Sequence, residues 1–411
     1  MRNDDIEVSS KHLTLRTAGF AVFFVLAVTF ITLGVLRIGR QEPGLRAITA
    51  PNDDDLPLYQ LGVDFEYDFT GDEKAIKLAV EELTGVWTGI WKNSYRLLDP
   101  VNTYETGPNL ATLNQSLGEV CTVPRELYGV LRDAADKTAR QEGYSLFAGA
   151  LYREWEAQRY TLEPQGSDPL VDAETADRLQ RLAAATGQLD SFRLEFLDDE
   201  ACQVRFTVSR DYLDLLRELE IEDTPILDLT VLYDAYRLQL AADQLEAQGY
   251  HRGFLAGRGG TIALSEYDGG ELCLYGSSDK GPVPAASRPL TRGLRASFFR
   301  AFALDEEEAG FYTMEQNGKT YLRHPYLPAD GTYREVLLSS LVCAENVPLQ
   351  DLFYENLRLF AAGDADEALA LATKLPASAA LILRTEPRVV RTTDDSFTPE
   401  SDYAFTARPA G

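Results

Sequence analysis

Leu227-Asp228-Leu229-Thr230-Val231-Leu232-Tyr233-Asp234-Ala235-Tyr236, continued through Gly249 to Gly257-Arg258-Gly259-Gly260, is the stretch that decides the fold. Ile226 to Leu229 reads as a short strand that leads into a helix. Val231, Ala235, Leu238, Ala242 and Leu245 recur at helical spacing and give that helix one apolar stripe. Gly249 is a suitable C-terminal stop. A second short apolar run then enters the glycine pair. The spacing predicts a strand–helix–strand unit with a small-residue turn at the end where a ligand can approach.

Elements of both periods surround this unit. Ile76, Ala79, Val80, Leu83, Val86, Trp87, Ile90 and Trp91 predict an amphipathic helix entered from Thr70-Gly71-Asp72. Pro124 marks another helix start, with Leu127, Val130 and Leu131 on its apolar face. Ala173 to Ala185 reads as a further helix. Phe192 to Phe196 and Gln203 to Val208 alternate apolar and polar residues, as strands do. Gly253 to Gly276 predicts strand–turn–strand, with the turn at Asp268-Gly269-Gly270. Strands also suit Lys319 to Leu322, Val336 to Leu338 and Leu381 to Arg384. Leu349, Leu352, Phe353, Leu357 and Phe360 form a helical face. Gly363 interrupts it, and Asp364 can cap the next helix. The interleaving predicts an α+β (mixed α/β) domain over 57–394, followed by a polar, frayed tail at 395–411.

The N-terminus carries a different signal. Thr17 to Leu36 is uncharged and rich in Phe, Val, Leu and Ile. About 20 helical residues at ~1.5 Å each reach ~30 Å, the hydrocarbon thickness of a bilayer. Leu36-Arg37-Ile38-Gly39-Arg40 follows, with no small-x-small cleavage site, which argues for an uncleaved anchor. Lys and Arg balance on the two sides of the span, so charge does not set its orientation. A short tail (1–16) ahead of a large domain fits a single-pass cell-membrane protein whose soluble part is extracytoplasmic. Residues 37–56 read as a linker.

Lys+Arg number 39 against 65 Asp+Glu, a formal net charge of −26. Such a surface repels phosphate backbones and argues against nucleic-acid binding. Cys121, Cys202, Cys273 and Cys343 contain no C-x-x-C pair, which argues against structural zinc and leaves their pairing open. Only His12, His251 and His324 are available for histidine chemistry.

The order of motifs resembles the FAD:protein FMN transferase (ApbE-like) family. Asp228 and the run to Tyr236 resemble its L-D-L-G-G-I-A-K-G-Y signature, and Gly259-Gly260 its later glycine pair. Tyr95 to Asp99 through Leu113-Asn114, Gly143-Tyr144-Ser145 and Leu151 to Trp155 resemble earlier segments. Gly310 and Tyr312 fall on S-G-D-Y. Arg323, His324, Pro328 and Gly331 fall on R-H-I-I-D-P-x-T-G. Asp351 falls on the Asp of A-D-A-L-A-T-A-L.

The resemblance implies an FAD cleft involving Asp228, Asp234, Gly259, Gly260, Gly310 and Tyr312. It also implies Mg²⁺ near Asp351 and Glu355, with His324 as the catalytic candidate. The implied chemistry is transfer of FMN to a Thr or Ser hydroxyl, by positioning and charge neutralisation. The sequence departs from the pattern where that chemistry is concentrated. Asp234 replaces a Lys, Ala235 a Gly, Thr261 an Asp, Leu327 an Asp and Glu355 a Thr. The residues leave three readings open. One is a degenerate transferase that holds flavin, or a flavoprotein or electron-transfer partner, without efficient transfer. The second is an active, divergent Mg²⁺-dependent transferase. The third is an extracytoplasmic scaffold or adhesion module with no flavin.

Overall fold

The computed structural model describes residues 43–50, 63–278, 280–305, 308–400 and 403–407, with only the backbone at 404–407. The expected membrane segment 17–36, the tail 1–16 and most of the linker lie outside them. No described helix is long and apolar enough to cross a membrane. Phe69–Glu82 belongs to a small compact unit, and Leu45–Asp68 with Leu83–Gly411 to a large one. Every candidate site residue belongs to the large unit.

In chain order the strands and helices begin with β1 (Gly44–Ala47), β2 (Val63–Phe69), α1 (Glu73–Leu98), α2 (Leu110–Gln115), β3 (Val120–Thr122), α3 (Arg125–Ala139), α4 (Gly149–Arg159) and α5 (Ala173–Thr186). Next come β4 (Phe192–Asp198), β5 (Gln203–Val208), α6 (Arg210–Glu218), α7 (Tyr233–Ala247), β6 (Gly253–Gly257), β7 (Gly260–Ala263), β8 (Glu271–Ser278) and β9 (Gly281–Pro289). The remainder is β10 (Leu294–Arg300), β11 (Tyr312–Gln316), β12 (Lys319–Arg323), β13 (Leu337–Glu345), α8 (Leu349–Phe360), α9 (Ala365–Ala372), β14 (Ser378–Leu383), β15 (Val389–Thr392), β16 (Thr398–Pro399) and β17 (Ala404–Ala407).

A nine-stranded sheet organises the large unit, in the order β1-β2-β6-β7-β10-β13-β14-β15-β17. Alternation along β10 serves its two faces. Ser297 and Phe299 face α8, where Asn356 Nδ2 donates to the Ser297 carbonyl (3.0 Å) and Phe299 packs edge-on to Phe353. Leu294 and Ala296 face the other way, into an apolar core shared with Leu272, Leu274, Ala285 and Ala286 of β8 and β9. The three-stranded sheet β16-β9-β8 covers that face. A separate sheet, β3-β5-β4, stands in the long excursion between β2 and β6.

Four expectations are corrected. Ile226 to Leu229 is irregular backbone that runs into a 3₁₀ turn (Thr230–Leu232), not a strand. Its apolar run is real, but its hydrogen bonds go to the Asn114 side chain and to the backbone of Leu146 and Gly149 instead of a sheet. The glycine pair turns an antiparallel hairpin, β6–β7, with Gly257 opposite Gly260, so the unit is loop–helix–hairpin. The described part of 395–411, residues 395–400 and 403–407, is not frayed: β16 pairs with β9, and β17 pairs in parallel with β15. Tyr403 is buried, and a Cβ on Gly276 would lie 2.0 Å from its Oη, so the tail is strapped across β8. Gly44–Ala47, inside the expected linker, is an edge strand.

Candidate functional site

The site begins at the loop before α7. Asn114 clamps it from both sides: its Oδ1 accepts the N–H groups of Ile226 (3.2 Å) and Leu227 (2.8 Å), and its Nδ2 donates to the Leu227 carbonyl (2.9 Å). One side-chain amide thus takes the place of a neighbouring strand. Gly149, at the start of α4, donates to the Ile226 carbonyl (3.2 Å). A Cβ there would sit 2.3 Å from the Pro225 carbonyl oxygen, so only glycine permits the approach.

Asp228 caps the turn by accepting the Thr230 N–H (2.7 Å) and takes an ion pair from Arg153 of α4 (3.1 Å). It is buried, and burial raises its carboxyl above the usual range while the Arg153 charge pulls the other way. One turn along α4, Glu156 is also raised by burial. Its field contains Arg153, Asp228, Arg159 and Arg258 together.

The hairpin brings the second half. A Cβ on Gly259 would lie 2.5 Å from the Ala235 backbone N and 2.6 Å from the Asp234 carbonyl carbon, so the turn presses against the first residues of α7. Asp234 is raised by burial, opposed by Arg237 and Arg258. Burial works against the Arg258 charge. Tyr160, through charge and a side-chain hydrogen bond, then Asp234 and Tyr326 outweigh it, and the net direction is up. Gly310, at positive φ, abuts the same wall: a Cβ there would meet Arg159 Nε at 2.9 Å and the Tyr160 ring at 3.0 Å. A Cβ on Gly260 would instead lie 2.1 Å from the Ala296 carbonyl oxygen and 2.9 Å from Leu349 Cδ1.

His324 is 1% exposed in an aromatic cage, with ring centroids 5.7 Å from Tyr326, 5.1 Å from Tyr333 and 5.0 Å from Phe360. Its Nδ1 accepts the Tyr326 N–H (3.2 Å), which places the neutral ring's proton on Nε2. Nε2 itself is buried without a partner. Burial, with the charges of Arg159 and Arg323, lowers its pKa to about 3, opposed by the Arg334 backbone. Leu327 is fully buried, and its carbonyl accepts the Tyr152 hydroxyl.

Tyr312 joins a buried ion pair. Arg323 grips Asp168 with two bonds (2.7 and 3.0 Å), and the Tyr312 hydroxyl donates to the same carboxylate (2.8 Å). Gln158 of α4 donates to Tyr312 Oη (3.0 Å). Asp351 and Glu355 lie on the outer turns of α8. Asp351 is paired with Lys137 (2.6 Å) and Glu355 with Arg358 (2.6 Å). A surface groove of about 420 Å³ is lined by Lys319, Tyr321, Arg323, Tyr333, Arg334 and Glu335, and by none of the nine candidates.

No protein-family model and no curated protein matches the chain. Solved structures do. The apo flavinyl transferase ApbE of Pseudomonas stutzeri aligns over 84% of this chain and 92% of its own, at 16% identity and a TM-score of 0.53. The flavin transferase ApbE of Vibrio cholerae aligns over 84% and 96%, at 12% identity and 0.55. The apbe protein of Thermotoga maritima aligns over 84% and 96%, at 13% identity and 0.56. The fold is that of the ApbE flavin transferases.

On this ApbE fold the nine candidates fall into three neighbourhoods. Asp228, Asp234, Gly259, Gly310 and His324 sit around Arg153, Glu156, Arg159 and Arg258. Tyr312 belongs to the Asp168–Arg323 pair beside them, and Gly260, Asp351 and Glu355 belong to the α8 side, against Leu349, Lys137 and Arg358 respectively. Sequence reasoning does not single out Glu156, Arg258 or Lys137. Arg258 carries a signal, as a cation inside the quoted glycine turn. Lys137 carries none, since it meets Asp351 across most of the domain's sequence.

Proposed function

We propose that this chain is a degenerate flavin transferase, which holds a flavin or a flavoprotein partner and does not transfer FMN efficiently. The observation that carries the reading is Leu327. A fully buried aliphatic side chain stands where the resemblance implies a carboxylate, so it neither binds metal nor accepts the nucleophile's proton. Binding is the part that retains support. Arg153 puts a guanidinium beside Asp228, and the charge of Arg258 is felt at Asp234; these two cations are the donors that a pyrophosphate-bearing nucleotide would meet. Bound FAD would supply the transferable FMN group; the residues of this chain would orient it without a base.

We further propose, from the uncharged run 17–36, that the domain is held outside the cytoplasm by a single-pass anchor. A cysteine placed at Asp54 should be labelled on intact cells.

The deciding experiment incubates the protein with FAD, with and without Mg²⁺, and follows flavin fluorescence, AMP release and the mass of a Thr-containing acceptor. Fluorescence change without AMP or adduct is the expected result, with transfer at least ~1000-fold below a working enzyme, the scale of losing one charge-stabilising group. An adduct formed at ordinary enzymatic rates establishes the active reading. No flavin binding at all leaves the scaffold reading.

A further inference from the structure

We propose that the ammonium of Lys137 is a built-in cation at Asp351, and that the carboxylates of this region therefore bind no divalent metal. The inference rests on the proposed function for one point only, that Asp351 marks where the fold's chemistry would call for Mg²⁺.

Lys137 lies in the last turn of α3 with its side chain only 3% exposed. A lysine that deep stays charged only when its ammonium is paired and hydrogen-bonded. Here Nζ stands 2.6 Å from Asp133 Oδ1, one turn back on the same helix, and 2.6 Å from Asp351 Oδ1 on α8. The Tyr354 ring lies 5.8 Å from Nζ. The Tyr236 hydroxyl of α7 donates to the other Asp133 oxygen (2.8 Å), which fixes that carboxylate. Three helices thus supply a shaped seat for one positive charge, and the seat is filled by a covalently attached one.

The remaining carboxylates do not complete a metal shell. Mg²⁺ asks for near-octahedral oxygen at ~2.0–2.1 Å. Glu355 is held by Arg358 (2.6 Å), whose other end holds Glu142 (2.8 Å). Among the described residues no group of three or more His, Cys, Asp or Glu side chains is placed to hold a metal ion. A divalent ion at Asp351 would also sit against the ammonium on the same oxygen, and like charges at that range repel strongly. Asp133 and Asp351 are 36% and 42% exposed, so water and ions would reach them once the ammonium is gone.

The test titrates the full-length protein with Mn²⁺ and reads the free ion by electron paramagnetic resonance, without flavin. Failure here is therefore separable from failure of the flavin reading. The wild type should show no site tighter than ~1 mM that depends on Asp351. Lys137→Met, checked for native circular dichroism, should gain a site at least ~10-fold tighter and a Tm that rises with Mn²⁺. Adding Asp351→Asn should abolish both. A folded Lys137→Met variant that gains nothing overturns the proposal. If that variant does not fold, Asp351→Asn alone decides. An unchanged Mn²⁺ titration supports the built-in cation, and loss of a wild-type site overturns it.

Discussion

Replacing His324 with Leu should remove a pH dependence of stability that the wild type carries between pH 4.5 and 6.5. The ring's native pKa is lowered to about 3, first by burial and then by the charges of Arg159 and Arg323. An unfolded histidine titrates near ~6.5. Below that value the unfolded chain takes up a proton that the native ring refuses. The contribution is fully present above ~6.5 and is lost as pH falls toward about 3. At ~1.36 kcal/mol per pH unit, the fall from pH 6.5 to 4.5 costs roughly 2 kcal/mol. Asp228, Asp234, Glu156 and Asp243 are raised by burial and respond in the opposite sense, but they are common to both proteins. The difference between wild type and His324→Leu at each pH therefore isolates the ring. Urea unfolding at pH 4.5, 5.5 and 6.5 measures it. The variant should gain on the wild type by roughly 2 kcal/mol across that range. A difference that stays flat would refute the caged, neutral histidine and restore it as a titrating candidate for catalysis.

Two further outcomes test other parts of the molecule. Arg323→Met should cost about 3–5 kcal/mol in urea unfolding, because Asp168 is left fully buried with its charge and no cation, only the Tyr312 hydroxyl and the Leu170 N–H; Asp168→Asn in the same chain should recover much of that loss. Tyr403→Ala should cost about 3 kcal/mol, since it empties the space beside Gly276 and loosens the strap, and protease sensitivity should appear C-terminal to Asp394.

The legible part of the fold is the part written in periodicity. The apolar stripe from Ala235 to Leu245 is α7, with Val231 in the turn that leads into it, the alternation at Phe192 and Gln203 is β4 and β5, and Asp364 caps α9 by accepting the Glu367 N–H (2.8 Å). Ile226 to Leu229 is illegible because an extended run looks alike whether a strand or the Asn114 side chain satisfies its backbone. The polar end after Asp394 reads as loop, because strands laid on a sheet edge need few apolar residues. At the site, glycines and aspartates are visible as motifs, but their partners are not. Whether Asp351 faces a metal or an ammonium depends on Lys137, and no local pattern joins the two.

The strands of the main sheet stand side by side in the order in which the ribosome makes them. Each new strand finds its neighbour already synthesised, so the sheet grows by accretion at one edge, and no completed pairing must reopen to admit a later strand. The loops closed at each step are short beside one exception. Between Phe69 of β2 and Gly253 of β6 the chain departs to build α1 through α7 and the β3-β5-β4 sheet. Until Gly253 emerges, β1 and β2 are a two-stranded ribbon, a form with marginal stability of its own. The strand order therefore predicts that the sheet gains its own stability when β6 arrives, and that a chain stalled before it presents an open β-edge to chaperones and to other copies of itself.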